Sequence, residues 1–351
     1  MLTSVRKVKP EQTDAIEQAA GLLLMGELVA FPTETVYGLG ANGFDGEAVK
    51  KIFAAKGRPQ DNPLILHIHD FSQLNEIWAE IPPLARKLAD CFWPGPLTMI
   101  YFHTEKIPDS VTAGLDTVAV RMPSHPVALA MLKNCSVPVA APSANLSGKP
   151  SPTTADHVLQ DMDGRIPLIL DGGEADFGVE STVITLTGEP TILRPGAVTK
   201  EMLEAVIGPV RVAESILSPM KAGEKAASPG MKYKHYAPSA KVRVISGEPA
   251  AAADLAIKLY DEAVAAGTKT IIFSTRDTDL LYGNRCRVLI GDRKEPVTLC
   301  RNLFRELRDR GEECDLILAE GIVPEAEGLA YMNRLLRAAG FDVIRADTMM
   351  Y

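Results

Sequence analysis

The chain has 351 residues, 37 basic and 45 acidic side chains, a formal net charge of −8, and 46% hydrophobic against 23% charged residues. This is ordinary globular composition for about two domains; it excludes a disordered or fibrous chain, and the acidic balance argues against a broad nonspecific nucleic-acid surface. Cys91, Cys135, Cys286, Cys300 and Cys314 are odd in number and form no CxxC pair, so they read as reduced thiols rather than a disulfide frame or a zinc site. The first ten residues carry charges but no apolar run behind them. Ala19–Phe31, the most apolar stretch, is cut by Gly26 and Glu27 and is too short to span a bilayer. A soluble cytoplasmic protein with no membrane partner is expected.

In chain order, Pro10–Met25 reads as an amphipathic helix with Ile16, Ala19, Ala20 and Leu23 on one face. Gly26 stops it, and Leu28–Phe31 follows as a short buried strand. Further strand patterns are Leu64–Ile68, Leu97–Phe102, Thr117–Met122, Val137–Ala141, Leu168–Leu170, Ser181–Leu186 and Thr191–Leu193. Helical patterns intervene at Ala48–Ala55, Leu84–Phe92, Val127–Lys133, Ala155–Gln160 and Lys200–Ile207. Strands alternating with helices, with some strand pairs lacking a helix between them, predict an α/β domain over 1–208 built on a mixed twisted sheet.

From 209 to 240 the composition shifts. Between Ser215 and Lys241 there are five lysines against one glutamate, with three prolines, which reads as a basic linker. The grouping of Tyr233, His235 and Tyr236 suggests that part of this linker docks on something. Strands Val242–Ile245, Thr270–Phe273, Arg287–Ile290 and Asp315–Ala319 then alternate with helices Ala250–Ala266, Thr298–Arg310 and Glu325–Ala339, and Asp342–Arg345 closes the pattern. That regular alternation predicts a smaller Rossmann-like parallel domain over 241–351.

The common chemistry motifs are missing. There is no GxxxxGK[ST], no GxGxxG after a strand, no GxSxG and no HExxH. His67 and His69 lie two apart in a strand, without further ligands at metal spacing, so one substrate-facing histidine is the better reading. Polar residues gather instead at strand ends, where open α/β sheets bind ligands. Thr33, Glu34, Thr35 and Tyr37 follow the strand at Phe31; a polar helix-capping turn is the competing reading. Lys56, Arg58 and Asn62 are expected in a loop braced by Gly57, Pro59 and Pro63, and two cations there suit an oligophosphate, although basic residues also favour helix C-termini. Ser143, Asn145, Ser147 and Ser151 follow the apolar run ending at Ala141. Arg121 interrupts the apolar strand Val118–Met122, where a guanidinium is costly unless it meets a substrate anion or an internal carboxylate. Arg194 ends another strand, and Ser181 with Thr182 opens the one before it. The composite suits a substrate with a carboxylate and phosphates.

At these clusters the sequence resembles the YrdC-type threonylcarbamoyladenylate synthases in their two-domain, Sua-type form. The hallmark KxR and SxN elements correspond to Lys56-Gly57-Arg58 and Ser143-Ala144-Asn145. The match runs through PTETVYGLG, KGRPQDNPL, FWPGPLT, VAVRMP, APSANLSG, GVESTV and ILRPGA, and on into Ser228–Pro238. The resemblance implies condensation of L-threonine, bicarbonate or CO2 and ATP into L-threonylcarbamoyl-AMP and pyrophosphate, with Mg2+ on the ATP phosphates and no protein-held metal. Downstream tRNA threonylcarbamoyl-transfer proteins would consume the product beside the anticodon. By position, Thr35, His67, Arg121, Ala141 and Ser181 would hold threonine. Arg58, Asn62, Thr117, Ser143, Ser151, Arg194 and Tyr236 would contact the nucleotide, and Lys56, Arg58, Ser143 and Asn145 would line the reacting centre. The resemblance also makes Ser228–Pro238 the expected cover of the site. A YrdC-like RNA- or nucleotide-binding module without turnover, gripping tRNA through the basic linker, is the alternative. A carbamoyl-phosphate-using relative is disfavoured, because its acylphosphatase-like and zinc-finger segments are missing from this sequence.

Overall fold

A computed structural model describes residues 2–218 and 236–346. Most of the expected cover, residues 228–235, lies outside the described residues. The chain divides into two compact units: the first holds 2–147 and 151–216, the second 148–150, 217–218 and 236–346.

The first unit is a mixed sheet with helices. Its strands are β1 (Ser4–Lys7), β2 (Val29–Phe31), β3 (Gly38–Asn42), β4 (Ile65–His67), β5 (Leu97–Phe102), β6 (Thr117–Arg121), β7 (Val139–Ala140), β8 (Leu168–Asp171), β9 (Thr182–Thr185), β10 (Thr191–Arg194) and β11 (Arg211–Val212). They lie in the order β1-β8-β2-β3-β7-β4-β6-β5-β9-β10-β11. The helix Thr13–Leu24 turns Ile16, Ala19, Ala20 and Leu23 inward, as its spacing predicts. It packs with the helix Pro126–Cys135 over Val29, Phe31, Leu168 and Leu170. Each such large aliphatic side chain contributes about 1.5–3 kcal/mol by leaving water.

Three strands escape the sequence pattern, and one of them, β11, lies within 209–240, the stretch read as linker. It pairs parallel with β10, so the first unit runs on to 216. β1 is an edge strand whose residues are mostly exposed, so it shows no apolar alternation, and pairing with β8 alone fixes it. β3 is read from sequence as a glycine-bearing loop, yet it pairs with both β2 and β7. Its glycines answer to packing. A Cβ on Gly40 would stand 2.8 Å from Val139 Cγ1 and 3.0 Å from Phe31 Cε1, so only a bare backbone fits there.

The second unit has five strands: β12 (Lys241–Ser246), β13 (Thr270–Thr275), β14 (Arg287–Gly291), β15 (Leu316–Glu320) and β16 (Val343–Arg345). They are all parallel, in the order β14-β13-β15-β12-β16. Glu320, 1% exposed at the end of β15, accepts from Thr275 Oγ1 at 2.6 Å, Thr278 Oγ1 at 2.5 Å, Arg293 Nη2 at 2.6 Å and the Tyr282 hydroxyl. A buried carboxylate is tolerated when its lone pairs are filled in this way. Among the described residues, no helix is long and apolar enough to cross a membrane.

Gly40→Ala should destabilise the first unit by about 1–3 kcal/mol, the usual cost of overpacking, seen as a lower urea midpoint. An unchanged midpoint would mean that Phe31 and Val139 give way freely.

Candidate active site

The centre of the sheet brings the first group of polar residues together. Parallel pairing sets His67 of β4 beside Arg121 of β6, and antiparallel pairing sets Thr98 of β5 across from Arg121. Arg121 is 3% exposed. Its Nη1 donates to Thr35 Oγ1 at 2.8 Å and its Nε to the Gly95 carbonyl at 3.3 Å. Its Nη2 lies 2.7 Å from Glu34 Oε1, a buried ion pair. The strand guanidinium thus meets an internal carboxylate and a hydroxyl, both from the PTET segment. Thr98 Oγ1 lies 2.7 Å from Ser181 Oγ, and Arg194 binds Ser181 twice, through its carbonyl and its hydroxyl, each at 3.1 Å.

Electrostatics fix the protonation states here. Burial, and next the Arg121 charge, push the His67 pKa down to about 3. The ring is neutral at pH 7, and with Nδ1 donating to the Ile65 carbonyl at 3.2 Å, Nε2 is left as an acceptor. Burial raises the Glu34 carboxyl, but the charge and hydrogen bonding of Arg121 more than offset it, leaving Glu34 below the ordinary carboxylate range.

A second group forms where the helix Gly46–Lys56 ends. Asp45 caps its start by accepting from Glu47 and Ala48, and Gly57, at φ +61°, ends it with a left-handed turn. Lys56 is therefore the last helical residue, not a loop cation. It is 3% exposed, and its Nζ donates to the carbonyls of Ser143 and Asn145, the latter at 2.6 Å. The KxR lysine thereby ties down the SxN loop. Within that loop Ser143 Oγ donates to Asn145 Oδ1 at 2.5 Å. Arg58 emerges after the turn, its guanidinium 5.8 Å from the centre of the Phe53 ring, and donates to the Asn62 carbonyl at 3.4 Å. Asn62 is fully buried, yet both polar atoms of its side chain lack a hydrogen-bond partner among the described residues. Such an orphaned amide is rare unless a ligand supplies the partner.

The two groups adjoin through the chain between Ala141 and Ser143. The Ala141 N–H binds the Ile65 carbonyl, and Ser143 bridges to Gly38. The other expected residues are placed as follows. Ser151 is buried and donates to Glu180 Oε1 at 2.5 Å, a carboxylate missed from sequence although it stands in the GVESTV segment. Thr117 sits at the opposite end of β6 from Arg121, about 13 Å away at the rise of an extended strand, so these two do not meet. Tyr236 belongs to the second unit, where its ring stacks on Phe304 at 4.8 Å. Thr98, like Glu180, was also missed; an internal hydroxyl in an apolar strand was its only signal.

Residues 21–196 match the Sua5/YciO/YrdC family, described as "Telomere recombination", and residues 198–340 match "Threonylcarbamoyl-AMP synthase, C-terminal domain". The chain belongs to the two-domain threonylcarbamoyl-AMP synthases. It is 48% identical to the threonylcarbamoyl-AMP synthase of Bacillus subtilis, over 94% of each chain. It is likewise 48% identical to that of Pyrococcus abyssi, over 94% of this chain and 95% of the relative. The crystal structure of P. abyssi Sua5 complexed with L-threonine superposes with a TM-score of 0.89 at 45% identity, covering 98% of both chains. The expected mixed α/β fold with a second parallel sheet is the family's fold, and the chain is an enzyme, a transferase of nucleotidyl type.

His67 should stay neutral from pH 8 to pH 5. Because the unfolded imidazole protonates near pH 6.5 and the folded one only near about 3, stability falls as pH drops through that window. Nitrogen-15 spectra of the ring would check this, and a His67 signal titrating near pH 6.5 would contradict the assignment.

Proposed function

We propose that this synthase condenses L-threonine, bicarbonate or CO2 and ATP into L-threonylcarbamoyl-AMP with release of pyrophosphate. The observation that carries the reading is Arg121, a cation buried in the sheet beside neutral His67, in a chain whose archaeal relative is known complexed with L-threonine. Arg121 would take the threonine carboxylate, with Thr35, Ala141 and Ser181 around it. The orphaned Asn62 amide, Arg58, Ser143, Ser151 and Arg194 would face the nucleotide, joined by Thr117 and Tyr236 as the family resemblance implies.

The chemistry asks for positioning rather than a covalent intermediate. Threonine's neutral amine adds to CO2 and gives up a proton to solvent, forming the carbamate. A carbamate oxygen then attacks the α-phosphorus of ATP, the bond to the bridging oxygen of the β-phosphate breaks, and pyrophosphate leaves. Two anions must meet, and Arg58 supplies the charge that lowers their repulsion. Lys56 acts one step back: it holds the carbonyls of Ser143 and Asn145, so the hydroxyl and amide of SxN keep their orientation. Among the described residues no group of three or more His, Cys, Asp or Glu side chains converges. Mg2+ held chiefly by phosphate oxygens and water needs no such cage, so it fits as an ion arriving on ATP. The product is a mixed anhydride, an activated acyl group that a downstream tRNA threonylcarbamoyl-transfer protein would pass to adenosine.

Pyrophosphate release from ATP and Mg2+ should require both threonine and bicarbonate. Release indifferent to threonine would leave nucleotide binding or hydrolysis as the function. Arg58→Ala should slow turnover tens- to hundreds-fold, the loss of one charge-assisted contact of about 1.5–3 kcal/mol, while the fold persists. Lys56→Ala should cost activity and also stability, because it strands two carbonyls. Near-normal turnover in Arg58→Ala would remove the electrostatic account.

A further inference from the structure

The SxN loop follows β7 and belongs to no strand, so its backbone groups find their partners one by one. The Ala144 N–H donates to the Tyr37 carbonyl, and the Ser147 N–H to the Lys56 carbonyl. The Leu146 N–H takes a side chain instead, donating to Asp161 Oδ2 at 3.1 Å. Asp161 is 2% exposed and lies near the end of the helix Ala155–Met162. The carbonyl of the same peptide unit, that of Asn145, accepts from Lys56 Nζ at 2.6 Å. One peptide of the loop is therefore gripped at both ends, its oxygen by a buried cation and its nitrogen by a buried carboxylate.

That grip bears on the Asn145 side chain. A trans peptide is planar, with its C=O and N–H pointing in opposite directions, so partners at both ends fix how the plane is turned. A lysine ammonium is a compact charge with rotatable donors and would not set the plane alone. With the plane fixed, the Asn145 amide keeps its direction, accepting from Ser143 Oγ at 2.5 Å and donating to the Leu146 carbonyl at 2.8 Å. Just beyond the helix, Arg165 Nη1 donates at 3.1 Å to the carbonyl of Ala55, the residue before the KxR lysine. Thr3 Oγ1 anchors this segment in turn by accepting from the Gly164 N–H at 2.9 Å. We propose that Asp161 is a positioning residue for the synthase reaction: opposite Lys56, its carboxylate holds the Asn145–Leu146 peptide so that Ser143 and Asn145 keep the orientation the reacting centre needs. This rests on the reading of SxN as lining that centre. Arg121 is held by Thr35, Glu34 and Gly95, so the effect of Asp161 falls on turnover and not on threonine affinity.

Steady-state pyrophosphate release by the full chain tests this, with urea midpoints and the hydrogen exchange of the Leu146 amide measured alongside. Asp161→Ala should lower kcat about ten- to hundredfold, the loss of one charge-assisted bond, and leave the threonine KM within about twofold. The Leu146 amide should exchange faster in the same variant. Asp161→Asn, which keeps an acceptor oxygen but not the charge, should recover most of the lost kcat. A wild-type kcat in Asp161→Ala overturns the proposal even where the urea midpoint falls, because Asp161 would then be structural only. A rise in threonine KM that accounts for the whole loss overturns it too. Should Asp161→Ala fail to fold, Asp161→Asn is compared with Asp161→Glu, which keeps the charge but moves it by one methylene. The higher kcat should belong to Asp161→Asn, and the reverse order overturns the proposal. Threonine-independent release by the wild-type protein would overturn the synthase reading, and this proposal with it.

Discussion

A guanidinium in the interior of a sheet dictates much of what surrounds it. β6 places Val118, Ala119 and Val120 before Arg121, between β4 and β5, where no water reaches the charge. Its counter-groups must therefore come to it. They come from the segment after β2, and in the strand order β3, β7 and β4 stand between β2 and β6. At about 4.8 Å per strand, the segment carrying Glu34 and Thr35 extends across the ends of those strands to reach Arg121. Beyond it, the ties from Tyr37 to Pro152 and Ala144 anchor the SxN loop. One buried charge thus organises both groups of polar residues.

Much of the fold was legible because it rests on local periodicity. The helices at 13–24, 126–135 and 200–207 and the strand at 97–102 follow the apolar spacing that packs them. β1 and β3 were not, for opposite reasons: β1 is defined by a partner far along the chain, and β3 uses glycine where its neighbours leave no room. The site shows the same split. That Arg121 and Arg194 need partners can be read from the strands they interrupt. Which partners they take cannot, since Thr35 meets Arg121 across 86 residues and Ser143 meets Lys56 across 87. The helix end at Gly57 shows how far local chemistry misleads: it looks like a loop with two cations, but Lys56 is buried as the last helical residue and Arg58 beyond the turn is half-buried.

The two units treat buried charge differently. Glu320 in the parallel sheet is closed off by four donors, so it has nothing left to offer a ligand and acts as a structural knot at the ends of β13 and β15. Glu34 in the mixed sheet is equally buried and pairs with Arg121 at 2.7 Å. Both are a carboxylate beside an arginine, the one closed off by four side-chain donors and the other held by a single close ion pair.

The edge pairing of β1 also sets an order of events during synthesis. Ser4 pairs with Leu168, and Thr3 donates to the Ile166 carbonyl 163 residues downstream at 2.7 Å. At the ribosome's pace that partner appears roughly ten to thirty seconds after β1 does. Through that interval Leu2 and Val5, with the unpaired backbone between them, are a sticky strand with no sheet to join. The charges of Arg6 and Lys7 are then the main deterrent to pairing with the wrong chain. A short, basic, otherwise unremarkable first strand is what a nascent chain needs when its docking site has yet to be made.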